Sequence, residues 1–343
     1  MKILVTGATG YVGSRLVPRL LADGHAVRVA VADDPTDLPW WSGQVEVTQM
    51  DVLDPDAVSR AVAGVDAVFY LIHGMGGDDF VEQDRRGARN MTAALDRHDV
   101  SRVVYLSGIV PPVPREDLSD HIASRLEVED ILAGSNATSI ALRAAILLGS
   151  GSTSFEIVRQ VSERMPVQTL PTWMDSAVQP IAVVDALEAL AGALNVDCAD
   201  RSFDVGGPDR LRYSELLDRY AAVTGIRRAQ VEVPLVPEQV VQKAAGRLVD
   251  VPAPVVESLI ESLRHDMVCH EEDFRTALLP AGHVLLGVEE AIRRSLADAP
   301  DDPATADPMA PLPHDPDWAG GGREDSLGSK LAAVVSRAIP DRD

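Results

Sequence analysis

Three glycines near the N-terminus, Gly7, Gly10 and Gly13, follow one another at the spacing G-x-x-G-x-x-G. They stand between a short apolar run and a segment of helical periodicity, the context in which such glycines bind phosphate. The first allows a sharp turn, the second lets the backbone approach a pyrophosphate, and the third lets the helix pack closely on the strand. The free N–H groups at the start of that helix would face the anion. The pattern therefore predicts a dinucleotide site.

Acidic residues follow the second and third apolar runs, where they could contact the adenosine half of a dinucleotide. Asp33 and Asp34 end the second run, and a carboxylate there can hold a ribose 2′-hydroxyl but would repel a 2′-phosphate. Arg28 lies within that run and could point either way, so NAD(H) is favoured only slightly over NADP(H). Asp51 could accept a hydrogen bond from the adenine amino group or cap the next helix, a role that Asp54 could fill instead.

His73 ends the fourth apolar run, at the edge where open α/β sheets place their ligands. It could contact cofactor or substrate, or it could anchor the loop that follows. The residues expected to bind the cofactor are those of the glycine loop and of the strand ends: Thr6, Gly7, Thr9, Gly10, Tyr11, Val12, Gly13, Asp33, Asp51, Val52, Leu71, Ile72, His73 and Ala144.

The elements that must position these residues alternate along the chain. Nearly continuous apolar runs predict six strands, at residues 3–5, 26–32, 45–50, 67–72, 103–106 and 139–142. Helical patterns lie between and after them. This alternation predicts an α/β fold with a parallel sheet covered on both faces, the doubly wound Rossmann architecture.

The pattern changes to shorter elements beyond residue 150. We therefore expect a dinucleotide-binding domain over residues 1–150 and a smaller α/β substrate lobe over residues 151–297. From residue 298 the composition shifts to Asp, Pro, Ala and Gly, which predicts a flexible acidic tail over residues 298–343. Within the tail, one apolar helical face at residues 327–335 could dock on the body, on a second subunit or on nothing.

Composition and charge exclude several classes of protein. The 343 residues, 46% of them hydrophobic, can fill a large core with a satellite lobe. Lys and Arg number 31 against 53 Asp and Glu, and the net charge of −22 argues against nucleic-acid binding. Two cysteines are too few for a disulfide scaffold or a four-ligand metal site, so no metal is expected. No apolar run reaches the ~18 residues of a membrane span and no signal-peptide pattern begins the chain, which predicts a cytoplasmic protein without an integral membrane segment.

Several segments together resemble the extended and atypical short-chain dehydrogenases/reductases: residues 6–13, 51–52, 105–108 (Tyr-Leu-Ser-Gly) and 142–146 (Leu-Arg-Ala-Ala-Ile). Others resemble an NmrA-like subgroup of bacterial NAD(P)H-binding proteins: residues 70–76, 119–121, 149–152 with 155–156, 170–173, 179–182 and 264–266. The similarity covers roughly residues 1–297. It implies the doubly wound fold and an NAD(P)(H) cofactor, whereas the substrates of that subgroup are mostly unassigned.

Members of this family typically carry a Tyr-x-x-x-Lys pair, whose tyrosine exchanges a proton while hydride moves to or from the nicotinamide. This chain has His121-Ile-Ala-Ser-Arg125 instead, which keeps the two side chains one helical turn apart. His121 could donate the proton, with an ordinary pKa near ~6.5, although Arg125 beside it would favour the neutral imidazole. Arg125 would contact the nicotinamide ribose. The pair could equally only position ligands, or cap and solvate the helix.

Ser107 ends the strand that carries the family's catalytic serine, so it would hydrogen-bond a substrate carbonyl or cap the next loop. Three functions stay open at this point. The first is an oxidoreductase acting on a small carbonyl, enone or quinone-like substrate, and the second is a non-catalytic dinucleotide sensor that regulates a partner. The third, a sugar-nucleotide epimerase, would need a basic pyrophosphate clamp. A second copy of the chain, as a homodimer, is a candidate partner.

Overall fold

The structure is a computed structural model that describes residues 1–32, 38–74, 79–165, 167–227, 229–233, 236 and 238–319. Its strands, in chain order, are β1 (Lys2–Val5), β2 (Ala26–Val31), β3 (Glu46–Gln49), β4 (Ala67–Tyr70), β5 (Arg102–Gly108), β6 (Thr138–Ala144), β7 (Leu147–Leu148), β8 (Val167–Pro171), β9 (Ala177–Val178), β10 (Ile181–Ala182), β11 (Arg201–Val205), β12 (Leu211–Arg212) and β13 (Ala229–Val233).

Its α-helices are α1 (Tyr11–Ala22), α2 (Pro55–Val62), α3 (Phe80–Arg97), α4 (Asp120–Ala133), α5 (Thr153–Arg164), α6 (Val183–Gly192), α7 (Tyr213–Thr224), α8 (Glu238–Leu248), α9 (Ala253–Ser262), α10 (Phe274–Ala277) and α11 (Val288–Ser295). Within the part of the chain that the structure describes, no helix combines the length and the apolar composition needed to cross a bilayer.

The main sheet is parallel throughout and runs β11-β6-β5-β4-β1-β2-β3. Its central strands are apolar because both faces are covered, and Ile3, Leu4 and Val5 of β1 are fully buried. One apolar core joins the sheet to α1 and α6, and a second joins it to α2, α3 and α4. The doubly wound prediction is confirmed.

The sheet does not end with the strands before residue 150. β11 pairs in parallel with β6 along its whole length, from Arg201 against Ile140 to Val205 against Ala144. The α6 helix also packs on α1. The segment that we expected to form a separate lobe therefore contributes one strand and one helix to the dinucleotide-binding unit.

Residues 298–319, here called the strap, pack on the body, which corrects the expectation that the flexible tail starts at residue 298. Met309 is fully buried, and its carbonyl accepts a hydrogen bond from the Ser150 backbone N–H. Arg15 of α1 is buried and pairs with Asp315 through both carboxylate oxygens, at 2.6 and 2.8 Å. Its guanidinium also donates to the Pro308 carbonyl at 2.8 Å. Composition missed these anchors because they bind residues about 300 positions away. The face at residues 327–335 lies outside the described residues.

Removing the carboxylate from the strap should destabilise the protein. Asp315→Ala would leave Arg15 buried without its counter-charge, and we expect a loss of about 3 kcal/mol in the free energy of unfolding. Denaturant titration of the variant and the wild type measures this difference in the free energy of unfolding. The matched control is Asp130→Ala, which breaks the exposed pair with Arg115 and should change stability little. Equal stabilities of the two variants would show that the ion pair does not anchor the strap.

Candidate active site

The glycine loop joins β1 to α1, and its three glycines meet different constraints. Gly7 has a φ of +64°, and a Cβ there would lie 2.8 Å from the Leu71 carbonyl oxygen. A Cβ at Gly13 would lie 2.2 Å from the Gly7 carbonyl oxygen, so this glycine permits the contact between helix and loop. Gly10 is exposed, precedes α1 with a φ of −73°, and a Cβ there would meet only the Gly7 oxygen, at 3.2 Å. The fold thus requires glycine at positions 7 and 13. It does not require glycine at position 10, whose exposed backbone is open to a ligand.

The loop lines a cavity of about 540 Å³ at the carboxyl ends of β1, β4, β5 and β6. Doubly wound sheets bind dinucleotides in this position. Most of the residues predicted for cofactor and catalysis line it: Gly7, Thr9, Gly10, Tyr11, Val12, Gly13, Leu71, Ile72, His73, Ser107, His121, Arg125 and Ala144.

The remaining predicted contacts lie elsewhere. Thr6 is buried beneath the loop, where its hydroxyl donates to the Phe69 carbonyl and accepts from the Leu71 N–H, both at 3.1 Å, and so ties β1 to β4. Asp51 and Val52 do not line the cavity, and the exposed Asp51 carboxylate accepts from the Leu53 N–H at 2.8 Å. Contacts of these two residues with adenine stay a prediction.

Three residues bear on the choice between NAD(H) and NADP(H), and the structure describes one of them, Arg28. Asp33 and Asp34 lie outside the described residues. The Arg28 guanidinium points away from the ligand edge: it donates to the carbonyls of Ala61 and Ala63, at 2.7 and 2.8 Å, and pairs with Glu46. Arg28 is therefore engaged and does not supply a 2′-phosphate clamp. Asp54, and not Asp51, caps α2 by accepting from the Asp56 N–H.

The α4 helix places His121 and Arg125 beside the cavity. It begins after Ser119, whose hydroxyl accepts from the Ile122 N–H at 3.3 Å. The rings of His121 and His73 meet edge to face, with centroids 6.3 Å apart. Burial, with a smaller effect of Arg125, lowers the pKa of His121 to about 3, and burial also lowers the pKa of His73 well below its usual value. Both rings are therefore neutral near pH 7.

This corrects one expectation and confirms another. His121 does not titrate near ~6.5, because its ring is removed from water, which penalises the charged form. The preference for a neutral imidazole beside Arg125 is confirmed. Within the described ranges, the one hydrogen bond of the Arg125 side chain goes to the Leu106 carbonyl, at 3.4 Å, and burial lowers the pKa of Arg125. Arginine keeps its charge in proteins. The site therefore combines neutral imidazoles with one guanidinium.

Polar atoms of the cavity are buried without a hydrogen-bond partner among the described residues: Tyr11 Oη, His73 Nε2 and Arg125 Nε. An unsatisfied buried polar group costs about 1–3 kcal/mol, so native proteins rarely leave several in one place without a ligand or water to meet them. Together with the open face of Gly10, they fit a dinucleotide. The loop would hold the pyrophosphate, and Ser107, His121 and Arg125 would stand at the reacting end.

Sequence reasoning missed the other side of the cavity, which includes Leu259, Ser262, Met267, Pro316 and Trp318. These residues come from α9, from the segment after it and from the strap. No local sequence pattern relates these residues to the glycine loop. The one signal in the sequence was an aromatic residue, Trp318, inside an Asp- and Pro-rich stretch.

Comparison with known proteins agrees with this geometry. Residues 7–169 match the family described as NAD(P)H-binding. The 2-alkyl-3-oxoalkanoate reductase of Stenotrophomonas maltophilia is 30% identical over 266 residues, which cover 66% of this chain and 77% of that protein. The chain belongs to the NAD(P)H-binding, atypical short-chain dehydrogenase/reductase family. It binds NAD(P)(H), as the glycine loop predicted.

Other proteins to which the chain is similar are named reductases or oxidoreductases. The ceramide reductase of Caulobacter vibrioides is 31% identical over 192 residues, 55% of this chain, and the match spans only 59% of that reductase. The NADPH-dependent quinone oxidoreductase of Escherichia coli, solved with NADPH, shares the fold with a TM-score of 0.69 at 17% identity, over 86% of this chain and 100% of that one. Sugar-nucleotide epimerases share the fold as well.

Gly10→Val tests the binding face of the loop. The valine side chain would occupy the surface that must meet the pyrophosphate, so we expect dinucleotide affinity to fall at least about 100-fold, ~3 kcal/mol, with the fold retained. Isothermal titration with NADH and NADPH measures this. Gly43→Val is the matched control, because Gly43 is exposed and a Cβ there would meet nothing within 4 Å. Unchanged affinity in a folded Gly10→Val protein would remove the loop from the binding site.

Proposed function

We propose that the protein is an NAD(P)H-dependent reductase of a small carbonyl compound, enone or quinone. The observation that carries the proposal is the meeting of the glycine loop with Ser107, His121 and Arg125 in one cavity. Two relatives support it, since both are named reductases and one name specifies a 3-oxo acid, which is a carbonyl compound.

The reaction would place negative charge where these residues can stabilise it. A bound reduced nicotinamide supplies hydride, and a substrate that accepts hydride at carbon gains negative charge on its oxygen. The Arg125 guanidinium, the Ser107 hydroxyl and the N–H of a neutral His121 ring are the donors available to that oxygen. Such donors act strongly where water is excluded. The three side chains thus replace part of the role of the family's usual tyrosine and lysine.

The source of the proton narrows the substrate class. Among the described side chains that line the cavity, burial lowers the pKa values of His73 and His121 and raises that of Tyr11. None of these three groups is a good acid near pH 7, so water would deliver the proton. Without a side-chain acid, reduction is easiest when the anion formed by hydride addition is only weakly basic, because such an anion can persist until water protonates it. Enones and quinones, which give enolates and hydroquinone anions, therefore suit the site better than isolated ketones.

The sensor hypothesis is the second candidate. The same three pKa shifts favour it, because binding a dinucleotide needs no proton donor. An epimerase is less well supported, since Arg125 is the only lysine or arginine among the described residues that line the cavity. A small-molecule substrate, a cytoplasmic location and a homodimer remain predictions.

Two measurements on the same protein separate reductase from sensor. NADH and NADPH are first titrated by cofactor fluorescence, and their oxidation is then followed with a panel of quinones, enones and aldehydes. We expect binding and turnover, with enones or quinones faster than simple ketones. Binding without turnover across the panel would identify a sensor, and turnover of aldehydes alone would contradict the argument from the proton source.

Substitution of His121 tests whether its neutral ring acts as a hydrogen-bond donor. His121→Leu removes the donor and should lower kcat about 10²-fold with little effect on dinucleotide affinity. His121→Gln keeps an N–H donor and should retain more of the rate. Because the pKa of His121 is about 3, the rate of the wild-type protein should show no inflection between pH 5.5 and 7.5 from this residue. An inflection there that disappears in His121→Gln would show a titrating imidazole instead.

The same pKa shift predicts how stability depends on pH. His121 binds a proton at its ordinary pKa when unfolded but only near pH 3 when folded, so the unfolded state takes up more protons between these values. The free energy of unfolding should therefore fall as the pH drops from about 6.5 towards 3. Denaturant titrations at pH 7 and pH 5 should show a smaller loss for His121→Gln than for the wild type. Equal losses would place the folded pKa near its ordinary value.

A further inference from the structure

The cavity is built from two sets of elements. The dinucleotide side consists of the glycine loop and the carboxyl ends of β4, β5 and β6. The other set stands outside the main sheet and includes α5, α9, the segment that follows α9, and the strap. Since a dinucleotide occupies the edge of the sheet in this fold, the second set is available to the substrate.

The strap holds its part of this second set in a defined place. The Arg15–Asp315 pair is almost fully buried, with side-chain exposures of 0% and 6%. Three residues after Asp315, the Trp318 carbonyl accepts a hydrogen bond from Gln160 at 2.9 Å. Gln160 is itself fully buried and accepts from the Asp250 N–H. Main-chain and Asp315 contacts therefore fix the segment, which leaves the side chains of Pro316 and Trp318 to line the cavity.

The chemical character of this side is apolar. Leu259, Met267, Pro316 and Trp318, here called the apolar wall, line the cavity together with the small hydroxyl residues Thr153, Ser154 and Ser262. Among the described residues, none of those that line the cavity from this second set is acidic or basic. A diphosphate would find no cation here, whereas an uncharged flat molecule could rest on the indole ring.

A side chamber continues from the wall. It has a volume of about 50 Å³ and shares Ala145, Ser154, Leu259, Ser262 and Met267 with the main cavity. Beyond them its lining is mostly aliphatic, with one tyrosine: Ile146, Ile157, Val178, Tyr213, Ile260 and Leu263. Burial raises the pKa of Tyr213 to about 12, so the chamber presents no charge at neutral pH. A small apolar substituent of the substrate would fit there.

We propose that the strap completes the substrate subsite, with Trp318 as a substrate-contacting residue and with uncharged, planar compounds bearing an apolar group as its ligands. This inference rests on the proposed reductase function, because it assigns the second side of the cavity to that reaction's substrate. It makes the Arg15–Asp315 pair a positioning device for Trp318 and gives the C-terminal segment a direct part in specificity.

The test uses 2-naphthol, a planar and uncharged probe that hydride cannot reduce, with UDP-glucose as the charged alternative. Calorimetric titrations are made with the full chain, with and without saturating dinucleotide. Trp318→Ala removes the indole ring but keeps the contacts made by the Trp318 carbonyl and by Asp315. Leu259→Gln introduces a polar group into the apolar wall from a different element, α9. Trp40→Ala is the matched control, since Trp40 is partly buried and lies outside the cavity.

We expect the wild type and Trp40→Ala to bind 2-naphthol equally, and Trp318→Ala and Leu259→Gln to bind it about tenfold more weakly. Dinucleotide affinity should stay within about twofold in every variant, and UDP-glucose should not displace the naphthol. Wild-type affinity in Trp318→Ala, displacement by UDP-glucose, or no naphthol binding by the wild type would each overturn the inference. Failure of the wild type to bind dinucleotide would instead refute the proposed function, and the titrations without dinucleotide would still decide the role of Trp318.

Discussion

The close approach of α1 to the end of β1 is the constraint on which the rest of the site depends. It exists because Gly7 takes a positive φ and because Gly13 has no side chain to strike the Gly7 carbonyl. This approach aims the first N–H groups of α1 at the cavity, where they favour an anion. Arg15 lies one helical turn after Tyr11 in the same helix. Its guanidinium donates to the Tyr11 carbonyl and to the Asp315 carboxylate of the strap. One helix terminus thus serves both the dinucleotide and the C-terminal segment.

Burial gives the other half of the site its chemistry. Burial removes His73 and His121 from water and keeps both rings neutral. Because neither ring is charged, the positive charge among the described residues that line the cavity comes from Arg125. A site of this kind stabilises negative charge on a substrate without offering a proton of matched pKa. On the proposed function, histidine and arginine in place of the family's tyrosine and lysine would change which substrates the site reduces, and the exchange would not by itself abolish reduction.

The sequence predicted those parts of the molecule that depend on local patterns. The apolar runs located β1 to β6, the glycine spacing located the loop, and the carboxyl ends of the strands brought His73 and Ser107 into one cavity with His121 and Arg125. The family resemblance supplied the paired roles of His121 and Arg125, which stay predictions. Each of these predictions rests on residues that are neighbours along the chain or along one sheet edge.

The parts that failed depend on contacts between distant residues or on burial. The pKa of His121 follows from its surroundings and not from its type, and the position of Trp318 follows from an ion pair that spans 300 residues. Membership of β11 in the main sheet is likewise a matter of tertiary pairing. The sequence contains charged residues that can form ion pairs, such as Arg15 and Asp315, but it does not show which of them contact each other in the fold.

The central claim is that hydride passes from the dinucleotide to a substrate in this cavity, while the proton comes from hydrogen that exchanges with water. Transfer of isotope tests it most directly: an enone is reduced with NAD(P)H deuterated on either face of the nicotinamide, in water, and with unlabelled NAD(P)H in heavy water, and each product is analysed by mass spectrometry and NMR. The account predicts deuterium from one face of the cofactor at the β-carbon and deuterium from heavy water at the α-carbon. A product without label from either cofactor would contradict it.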